Sequence, residues 1–363
     1  MDAHPVVPGP VLVIGAGLVG SSLGMALTRA GVDVSLEDLS KSHALVAASL
    51  GAGRVSTTGS ADVTVAVVVV ATPPSTIADV VCRALERFPD AVVTDVGSVK
   101  GPIAEDVAER SPHFARYVPS HPMAGSQFTG PMTASADLFR DRTWVITPSA
   151  GNTEDSIDVV RALARLTGAV VVELDADLHD EAVAQVSHVP HLMSILTASH
   201  LRGVPGENLR LAGQGIRDVT RIAGSDPGLW RQILTTNAVA VREELLEVAD
   251  DLAYLIRVLD HPDELEAFLR IGQHGAQSLL GKHGQEPKDV VSVTVEIPDE
   301  PRALGSLFGD VGDFGFNVED FELNHDAVRE VGYLSISVER PQAEQLRANL
   351  VGRGWKAWSH AGE

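Results

Sequence analysis

The feature that most constrains the fold is an alternation of short apolar runs with helical patterns between residues 11 and 173. Several of these runs are continuously apolar and rich in valine, which is typical of strands covered on both faces in a parallel sheet. Repeated strand–helix units of this kind predict a doubly wound α/β domain. Strands are predicted over residues 11–14, 32–36, 65–71, 91–94, 116–118, 143–146 and 169–173.

A second, helical region is predicted from about residue 176 to residue 281, where the strand-like runs stop. Apolar residues recur at helical spacing from Asp226 to at least Asp260, a stretch longer than most helices of globular proteins. A helix of that length with an apolar stripe needs a partner helix. We therefore expect an all-helical domain that forms a homodimer interface.

A third domain is predicted after a polar stretch with Gly and Pro over 282–290, which is typical of a linker. Its apolar pattern predicts a small α+β unit of βαββα order. Strands are expected over 291–297, 317–323 and 332–338, and helices over 303–308 and 342–351. The predicted domains are 10–175, 176–281 and 291–363.

Charge and cysteine usage narrow the class of protein. The formal net charge is −21, which argues against nucleic acid or an anionic membrane as a partner, because both are polyanions. Cys82 is the only cysteine, so no disulfide can form within the chain and a reducing compartment is expected. The first ten residues lack a basic segment followed by an apolar one, and we expect a cytoplasmic protein without a signal peptide.

A glycine-rich loop follows the first predicted strand and opens a predicted helix over 18–30. Its sequence is Gly15-Ala-Gly17-Leu-Val-Gly20. The first glycine permits a tight turn, the second lets the backbone approach a pyrophosphate, and the third lets helix pack on strand. The phosphates then lie on the free N–H groups of the helix N-terminus, where Leu18 and Val19 stand. This strand–turn–helix context predicts a dinucleotide site.

An acidic residue is expected about 20 positions further on, at the end of the second strand, to bind the adenosine ribose. Glu37 and Asp38 are adjacent there, and Asp38 is the predicted ribose ligand. An acidic group repels a 2′-phosphate, so NAD is favoured as cofactor and NADP is the alternative. Thr72, after the apolar run at 65–71, is also predicted to line the cofactor site. The competing interpretation is that both acids are solvated in a loop.

Four further segments combine unusual residue types in one order along the chain. They are Asp95-Val-Gly-Ser98-Val-Lys100, Ser120-His121-Pro-Met-Ala-Gly125, Ser187-His188-Val-Pro-His191 and Asp218-Val-Thr220-Arg221. With the glycine-rich loop they resemble the prephenate dehydrogenase family from residue 11 to about residue 280, and the C-terminal unit resembles an ACT regulatory domain. The resemblance implies a Rossmann domain, a helical dimerisation domain and an active site in the cleft between them, where open α/β sheets bind ligands.

The reaction that the resemblance implies is the NAD-dependent oxidative decarboxylation of prephenate to 4-hydroxyphenylpyruvate, in tyrosine biosynthesis. Hydride leaves C4 of the ring for the nicotinamide while a base takes the hydroxyl proton. The developing ketone makes the ring carboxylate labile, and aromatisation drives the loss of CO₂. Such a site needs a base of near-neutral pKa and cations for the carboxylates, and histidine is the side chain that titrates near neutrality.

The match to the family's motifs implies a role for each of four residues. His121 is the predicted general base, and Ser98 is expected to hydrogen-bond its imidazole or the substrate hydroxyl. Arg221 is expected to clamp the ring carboxylate, since its planar fork pairs bidentately with a carboxylate. The alternative for Arg221 is an ion pair with Asp218 on the same helical face. His191 is expected to contact substrate.

Four further residues in or directly after these segments have other expectations. Ser126 and Gln127 are predicted to bind substrate, and a neutral Gln127 where family members often have an acid favours prephenate over arogenate. Lys100 is interpreted as a solvated cation at a helix start, and His188 as a structural residue. The pair of His188 and His191 has no third ligand at zinc-like spacing, so no metal is expected.

The C-terminal unit is expected to be regulatory, with tyrosine as effector, because Gly315-Phe316-Asn317 resembles the ACT pattern. Arg302 stands where that family usually has Gly. If the position needs a conformation open only to Gly, the ligand-binding turn is altered here. The alternative is a dimer-stabilising appendage without a ligand.

Three other functions compete with a prephenate dehydrogenase. The first is an arogenate dehydrogenase that produces tyrosine directly. A β-hydroxyacid dehydrogenase shares the order of domains, but that group relies on a catalytic lysine, and residues 177–260 contain none. The third is a catalytically silent NAD-binding regulator, which the presence of Ser98, His121, His191 and Arg221 disfavours.

Overall fold

The computed structural model describes residues 7, 9–56, 64–125, 129–278, 290–298, 300–316, 318, 320–326 and 331–360. The chain divides into two compact units, one ending at Leu259 and one beginning at Asp260. The predicted linker over 282–290 lies outside the described residues except for its last position. Within the described part of the chain, no helix is both long and apolar enough to span a membrane.

A parallel sheet forms the centre of the first unit. Its strands are β1 (Val11–Ile14), β2 (Val34–Glu37), β3 (Arg54–Val55), β4 (Val67–Val70) and β5 (Val92–Asp95). They lie in the order β3-β2-β1-β4-β5 and pair in parallel, so the predicted Rossmann-type sheet is confirmed. The four valines of β4 are fully buried, which accounts for the continuous apolar run in the sequence.

Helices cover both faces of this sheet. They are α1 (Leu18–Arg29), α2 (Lys41–Ser49), α3 (Ile77–Arg87), α4 (Gly101–Arg110) and α5 (Glu154–Leu166). Leu23 of α1 packs with Val13 on one face, whereas Val81 of α3 packs with Leu12 on the other. Successive residues of β1 therefore enter two different cores, as the alternation of side chains along a strand requires.

A smaller sheet of three strands follows, in the order β6-β7-β8. Its strands are β6 (Ser120–Pro122), β7 (Thr143–Ile146) and β8 (Val170–Glu173), with β6 antiparallel to β7. The strand predicted over 116–118 is reduced to an isolated parallel bridge between Tyr117 and Val93, since Phe114–Arg116 is a 3₁₀ turn and the continuous strand begins at Ser120. The guanidinium of Arg116 instead donates to three carbonyls at the end of α3 and after it.

The helical part of the first unit contains six α-helices among the described residues. They are α6 (Ala176–Val183), α7 (Val189–His200), α8 (Gly206–Leu209), α9 (Gln214–Thr220), α10 (Pro227–Thr236) and α11 (Ala238–Val258). A π-helical segment, Ala184–His188, joins α6 to α7. Single π-helical turns of this kind are frequent at functional sites.

The long helical segment expected from Asp226 to Asp260 begins as predicted but is interrupted. The Asp226 side chain caps α10 by accepting from the Leu229 N–H at 2.6 Å. Asn237 then separates α10 from α11, with a φ of −102° and a ψ of 31°. Its buried side-chain amide donates to the Asp180 carbonyl at 2.8 Å and lies 3.2 Å from His188 Nδ1. The apolar spacing continues across the break, so the sequence pattern does not show it.

The second unit contains a helix and a small α+β fold. Its elements are α12 (Pro262–Gln277), β9 (Val290–Pro298), α13 (Ala303–Asp313), β10 (Asp320–Asp326), β11 (Val331–Glu339), α14 (Arg340–Gly352) and β12 (Lys356–His360). The antiparallel sheet has the order β10-β11-β9-β12. Leu334 and Ile336 of β11 are buried with Leu307 of α13 and Leu346 of α14. The predicted unit is confirmed, and β12 adds a strand that its short, mixed sequence did not predict.

Arg302 holds a backbone conformation that L-amino acids rarely adopt. It is the N-cap of α13, with a φ of 77° and a ψ of −7° in the left-handed region. This is the position where the ACT pattern usually has Gly, so the expected need for a Gly-like conformation is confirmed. A non-glycine residue costs roughly 1–2 kcal/mol in this region. Of the neighbouring Gly315-Phe316-Asn317 segment, Asn317 lies outside the described residues.

Candidate active site

The glycine-rich loop connects β1 to α1 with little room for side chains. Gly15 has a φ of 109°, and a Cβ there would lie 2.4 Å from the Ala71 carbonyl oxygen. A Cβ on Gly20 would lie 1.9 Å from the Gly15 carbonyl oxygen. At Gly17, the N-cap of α1, a Cβ would meet no protein atom within 4 Å. The first and third glycines are therefore required by close packing, and the second faces open space at a helix N-terminus.

The two acids after β2 are held in different ways. Asp38 accepts from the Ala16 N–H of the glycine-rich loop at 2.6 Å and from the Ser40 N–H at 2.7 Å. Glu37 instead pairs with both terminal nitrogens of Arg87, each at 2.8 Å. A carboxylate has about four acceptor sites, so Asp38 keeps capacity to accept from a ribose hydroxyl.

Thr72 lies beside this loop. Its backbone nitrogen is 3.1 Å from the position that a Cβ on Gly15 would take, and its hydroxyl accepts from Thr76 Oγ1 at 3.1 Å. Leu18 and Val19 form the first turn of α1, as predicted. The structure therefore brings the predicted cofactor residues together around the C-terminal ends of β1, β2 and β4, where open α/β sheets bind nucleotides.

A fully buried ion pair joins the end of β5 to the start of α4. Lys100 Nζ donates to Asp95 Oδ2 and, at 2.7 Å, to the Ser120 carbonyl oxygen. Tyr117 Oη donates to Asp95 Oδ1 at 2.8 Å. Burial lowers the pKa of Lys100, and the Asp95 charge opposes that shift. The interpretation of Lys100 as a solvated cation is wrong, because both ends of this side chain are enclosed by the protein.

His121 lies within the short strand β6, beyond the end of the strand predicted over 116–118. It is 9% exposed, and its Nδ1 lies 2.9 Å from His179 Nε2. His179 Nδ1 in turn lies 2.8 Å from Asp180 Oδ1. His121 is thus the first member of a buried series of two imidazoles and a carboxylate. We call this series the His–His–Asp series.

Burial holds the pKa of His121 well below its ordinary value, and His179, Lys100 and His188 lower it further. The imidazole is therefore neutral at pH 7 and has a nitrogen that can accept a proton. A histidine that stayed protonated at this pH could not act as a general base.

Asp180 ties the two halves of the first unit together. It belongs to α6, yet its Oδ1 accepts from the Lys100 N–H and its Oδ2 from the Gly101 N–H, each at 2.8 Å. These N–H groups belong to the start of α4 and have no acceptor inside that helix. The carboxylate therefore caps α4 from a distant part of the chain while it also contacts His179.

A second group of rings lies around Trp230. The His191 ring stacks on Trp230 with centroids 3.5 Å apart and planes at 6°, and His188 approaches the same indole edge-on at 6.1 Å. Burial lowers the pKa of His188 to about 4 and also lowers the pKa of His191. With its bond to Asn237, His188 has the structural role expected of it.

The remaining predicted site residues have fewer contacts with the described part of the protein. Arg221 ends α9 and is exposed, and within the described residues no carboxylate pairs with it. Asp218 accepts instead from Gln214 Nε2 at 2.8 Å. Ser98 is half-buried, and among the described residues the hydrogen-bond partner of His121 Nδ1 is His179 and not Ser98. Ser126 and Gln127 lie outside the described residues.

Sequence reasoning missed His179, Asp180, Trp230 and Asn237. His179 and Asp180 lie in a polar stretch that resembles an exposed helix start, and only the adjacent His-Asp pair could have drawn attention. Among the described side chains, no group of three or more His, Cys, Asp or Glu is arranged to hold a metal ion.

Comparison with known proteins identifies the family. The model described as prephenate dehydrogenase, nucleotide-binding domain, matches residues 23–173. The model described as prephenate dehydrogenase, dimerization domain, matches residues 175–271. The chain belongs to the prephenate dehydrogenase family. It is therefore an oxidoreductase with a nucleotide-binding N-terminal domain. The first match begins after the glycine-rich loop, so the geometry of that loop is separate support.

Individual relatives agree with this assignment. A Streptomyces niveus protein, "Probable prephenate dehydrogenase NovF", is 31% identical over 359 residues, which are 95% of this chain and 98% of that protein. The crystal structure of A. aeolicus prephenate dehydrogenase with hydroxyphenyl propionate and NAD+ is 27% identical. It has a TM-score of 0.68 and covers 73% of this chain and 96% of that chain.

A third relative has a different substrate name. The Synechocystis arogenate dehydrogenase structure is 26% identical, with a TM-score of 0.64, and covers 73% of this chain and 98% of that chain. The three-part fold class is confirmed by these neighbours together with the observed sheets and helices.

Proposed function

We propose that this chain oxidises and decarboxylates prephenate to 4-hydroxyphenylpyruvate, with NAD⁺ as the hydride acceptor. One observation carries the proposal. A neutral, buried histidine, His121, is held at the edge of a nucleotide-binding domain by His179, which contacts its Nδ1, and among the described side chains no partner of its Nε2 is found. A dehydrogenase that acts on an alcohol needs such a base beside its nicotinamide.

The reaction needs the protein to accept a proton and to orient the substrate hydroxyl. His121 Nε2 takes the proton of the ring hydroxyl, and NAD⁺ held by the glycine-rich loop and Asp38 would supply the acceptor for the hydride of the same carbon. The ketone then accepts the electron pair of the breaking C–CO₂⁻ bond, and the ring becomes aromatic. Ser98, half-buried between β5 and α4, is proposed to orient the hydroxyl.

Cations must hold the substrate's carboxylates against the −21 net charge of the chain. Arg221 is the proposed clamp for the ring carboxylate. Its support is that no carboxylate within the described residues occupies its guanidinium. His191, fixed by its stack on Trp230, is proposed to contact the substrate from α7. Ser126 and Gln127 complete the proposed substrate residues.

Asp38 supports NAD over NADP. It lies half-buried against the glycine-rich loop, and a 2′-phosphate there would face a carboxylate. Asp38→Ala should weaken NAD⁺ binding and narrow the gap to NADP⁺, as titration calorimetry with both nucleotides would show. A wild-type enzyme that already binds NADP⁺ more tightly would contradict this preference.

The substrate preference is tested by a steady-state assay with prephenate and arogenate, each with NAD⁺ and NADP⁺. Gln127, which offers no carboxylate for the ammonium of arogenate, favours prephenate. We expect the highest kcat/KM for prephenate with NAD⁺. A higher value for arogenate would favour the function named for the Synechocystis relative, and absence of turnover with every pair would favour the silent regulator.

The helical region supports a homodimer. Leu252, Ile256 and Leu259 recur at helical spacing on or just after α11 and are 53%, 62% and 58% exposed. An apolar stripe of this kind marks an interaction surface, and the dimerization-domain model spans this stretch. Sedimentation velocity should show a dimer, and Ile256→Glu should shift it toward monomer. A monomer at micromolar wild-type concentration would reject the interface.

The second unit is proposed to be regulatory, with tyrosine as effector. Its βαββαβ order fits the ACT-like interpretation, whereas Arg302 alters the turn that would hold a ligand. Calorimetric titration of tyrosine should show binding to the full chain, and Arg302→Gly should strengthen it. If tyrosine inhibits equally in both proteins and competes with prephenate, the effect belongs to the active site.

We also propose a cytoplasmic location and domain boundaries at 10–175, 176–281 and 291–363. A buried, unpaired Cys82 suits a reducing compartment. Limited proteolysis should cut first between 282 and 290, since the polar sequence with Gly and Pro there is typical of a linker and linkers are preferred cleavage sites. Cell fractionation checks the location.

A further inference from the structure

We propose that Asp180 and His179 are positioning residues that fix His121 as the Nδ1–H tautomer and leave its Nε2 as the only basic nitrogen. The inference rests on the proposed role of His121 as the base. It goes further by assigning the proton positions along the His–His–Asp series, which neither the family nor the relatives' names specify.

The polarity of the series follows from its carboxylate end. Asp180 accepts from two backbone N–H groups, those of Lys100 and Gly101, through both of its oxygens. An ionised carboxylate can only accept, so His179 must donate to it from Nδ1–H. Neutral imidazole has one donor and one acceptor nitrogen, and His179 Nε2 is therefore the acceptor.

The acceptor nitrogen of His179 determines the tautomer of the next ring, His121. His121 Nδ1 lies 2.9 Å from His179 Nε2, and that contact is a hydrogen bond only if His121 Nδ1 carries the proton. The lone pair of the neutral His121 ring is then on Nε2. For a neutral His179 ring, the opposite polarity would direct its Nε2–H at His121 and leave its unprotonated Nδ1 against a carboxylate, a repulsive arrangement.

The same order suits the proton transfer. When His121 Nε2 takes the substrate's hydroxyl proton, the ring becomes an imidazolium and keeps its Nδ1–H bond to His179. The positive charge is then linked to Asp180 through one neutral ring. No proton has to leave the series during hydride transfer, and the proton count balances with one proton moved from substrate oxygen to Nε2.

Other charged groups surround the series. His121 faces Lys100 from the start of α4 and His188 from the π-helical segment, as well as His179. His188 faces Asp180, His179 and His191. The Lys100 charge is paired with Asp95, so Asp180 is the carboxylate linked to His121 by hydrogen bonds through a neighbouring ring.

Two substitutions of His179 separate orientation from mere packing. In His179→Gln, the amide oxygen can accept from His121 Nδ1–H and the amide N–H can donate to Asp180, so the polarity is kept. In His179→Phe, the ring volume is kept and the polarity is lost. His113→Phe is the matched control, since His113 is exposed and distant in sequence from the series.

We expect His179→Phe to lower kcat by about 10²-fold or more, the scale seen when a base loses its correct tautomer. The Kd for NAD⁺ should stay unchanged. His179→Gln should recover at least about tenfold of that loss in kcat, and His113→Phe should match wild type. Wild-type kcat in His179→Phe, or equal losses in the Gln and Phe variants, would overturn the proposal.

A spectroscopic readout is independent of turnover. Nitrogen-15 correlation spectra of the histidine rings should show His121 as Nδ1–H in wild type and in His179→Gln, with that state lost or mixed in His179→Phe. An Nε2–H signal for His121 in wild type would overturn the assignment even if the Phe variant does not fold. If His121→Asn keeps its turnover while the wild-type tautomer is Nδ1–H, the proposed base fails and the positioning stands.

Discussion

The two units of the chain treat buried polar groups in opposite ways. The first encloses an ion pair, Asp95 and Lys100, and the His–His–Asp series. In the second, the buried residues among the described side chains are apolar apart from Thr294. Burying charges costs free energy unless every partner is in place. The comparison teaches that the first unit keeps buried polar groups that its proposed chemistry needs, whereas the core of the second unit is almost wholly apolar.

The largest expected effect on the buried polar groups of the first unit is a loss of turnover on substitution of His121. His121→Asn should keep the fold and NAD⁺ binding yet lower kcat by roughly 10²–10⁴, the usual range for loss of a general base. Steady-state kinetics measure the loss, and calorimetry with NAD⁺ is its control. Near wild-type turnover would remove His121 from the mechanism.

Next comes a matched pair of ion pairs, one in each unit. Lys100→Met leaves Asp95 buried without its cation and should lower the free energy of unfolding of the first unit by about 3–5 kcal/mol. Lys356→Met breaks the pair with Glu296, in which the lysine side chain is 75% exposed, and should leave the free energy of unfolding essentially unchanged, because solvent screens an exposed ion pair. Urea unfolding measures both.

The contrast between these two lysines has its own internal check. Adding Asp95→Asn to Lys100→Met should restore part of the lost stability, because the buried charge is gone. Equal costs for Lys100→Met and Lys356→Met would show that burial makes no difference to the first pair.

Arg221→Ala tests whether Arg221, an exposed cation of the first unit, binds the substrate. Loss of one partner of a buried charge pair typically costs about 2–5 kcal/mol, and because bound prephenate would cover this guanidinium, the loss should appear as a steep rise in KM for prephenate. The Kd for NAD⁺ should not move. If the loss appears in NAD⁺ affinity, Arg221 serves the cofactor and not the substrate.

Acid should separate the two units. The pKa values of His121 and His188 are lowered in the folded state, so below about pH 6.5 the unfolded chain binds protons that the folded protein does not. Stability is present at pH 7 and is lost as pH falls: His188, with a folded pKa of about 4, accounts for a loss of about 2 kcal/mol at pH 5, and His121 adds to it in the same direction. Hydrogen exchange at both pH values should show this loss in the first unit and not in the second.

The smallest effect concerns Arg302. Arg302→Gly should stabilise the second unit by about 0.5–1 kcal/mol, because relief of the left-handed strain exceeds the added freedom of glycine in the unfolded chain. Arg302→Ala keeps a Cβ and should gain nothing. A destabilised glycine variant would mean that the Arg302 side chain makes a contact worth more than the strain.

Features that depend on local sequence could be predicted in both units. The alternating strands of the second unit and the continuous valine runs of the first lie within a few residues of their predicted positions, since side-chain periodicity is local information. The glycine-rich loop and Asp38 were likewise predictable, because a nucleotide site imposes fixed spacing. Strand β6 begins later than the strand predicted over 116–118, because the Arg116 side chain donates to carbonyls at the end of α3 and after it.

Lys100 and His179 show where local information ends. A lysine at a helix start and a His-Asp pair in a polar helix are ordinarily solvated, and nothing in their neighbours along the chain says otherwise. The burial of each side chain depends on contacts with another element of the fold, since Asp180 comes from α6 and Asp95 from β5. Such a network exists only once the halves of the first unit have met.

The cap that Asp180 places on α4 limits how this family can recombine. The bond from the Gly101 N–H spans 79 residues, so a crossover anywhere between α4 and α6 would pair one parent's helix start with another parent's acceptor. Loss of a capping acceptor costs about 0.5–2 kcal/mol, before any effect on His121. Chimeras that exchange the first 90 residues, or everything beyond 260, keep the bond within one parent and should inherit a working pair.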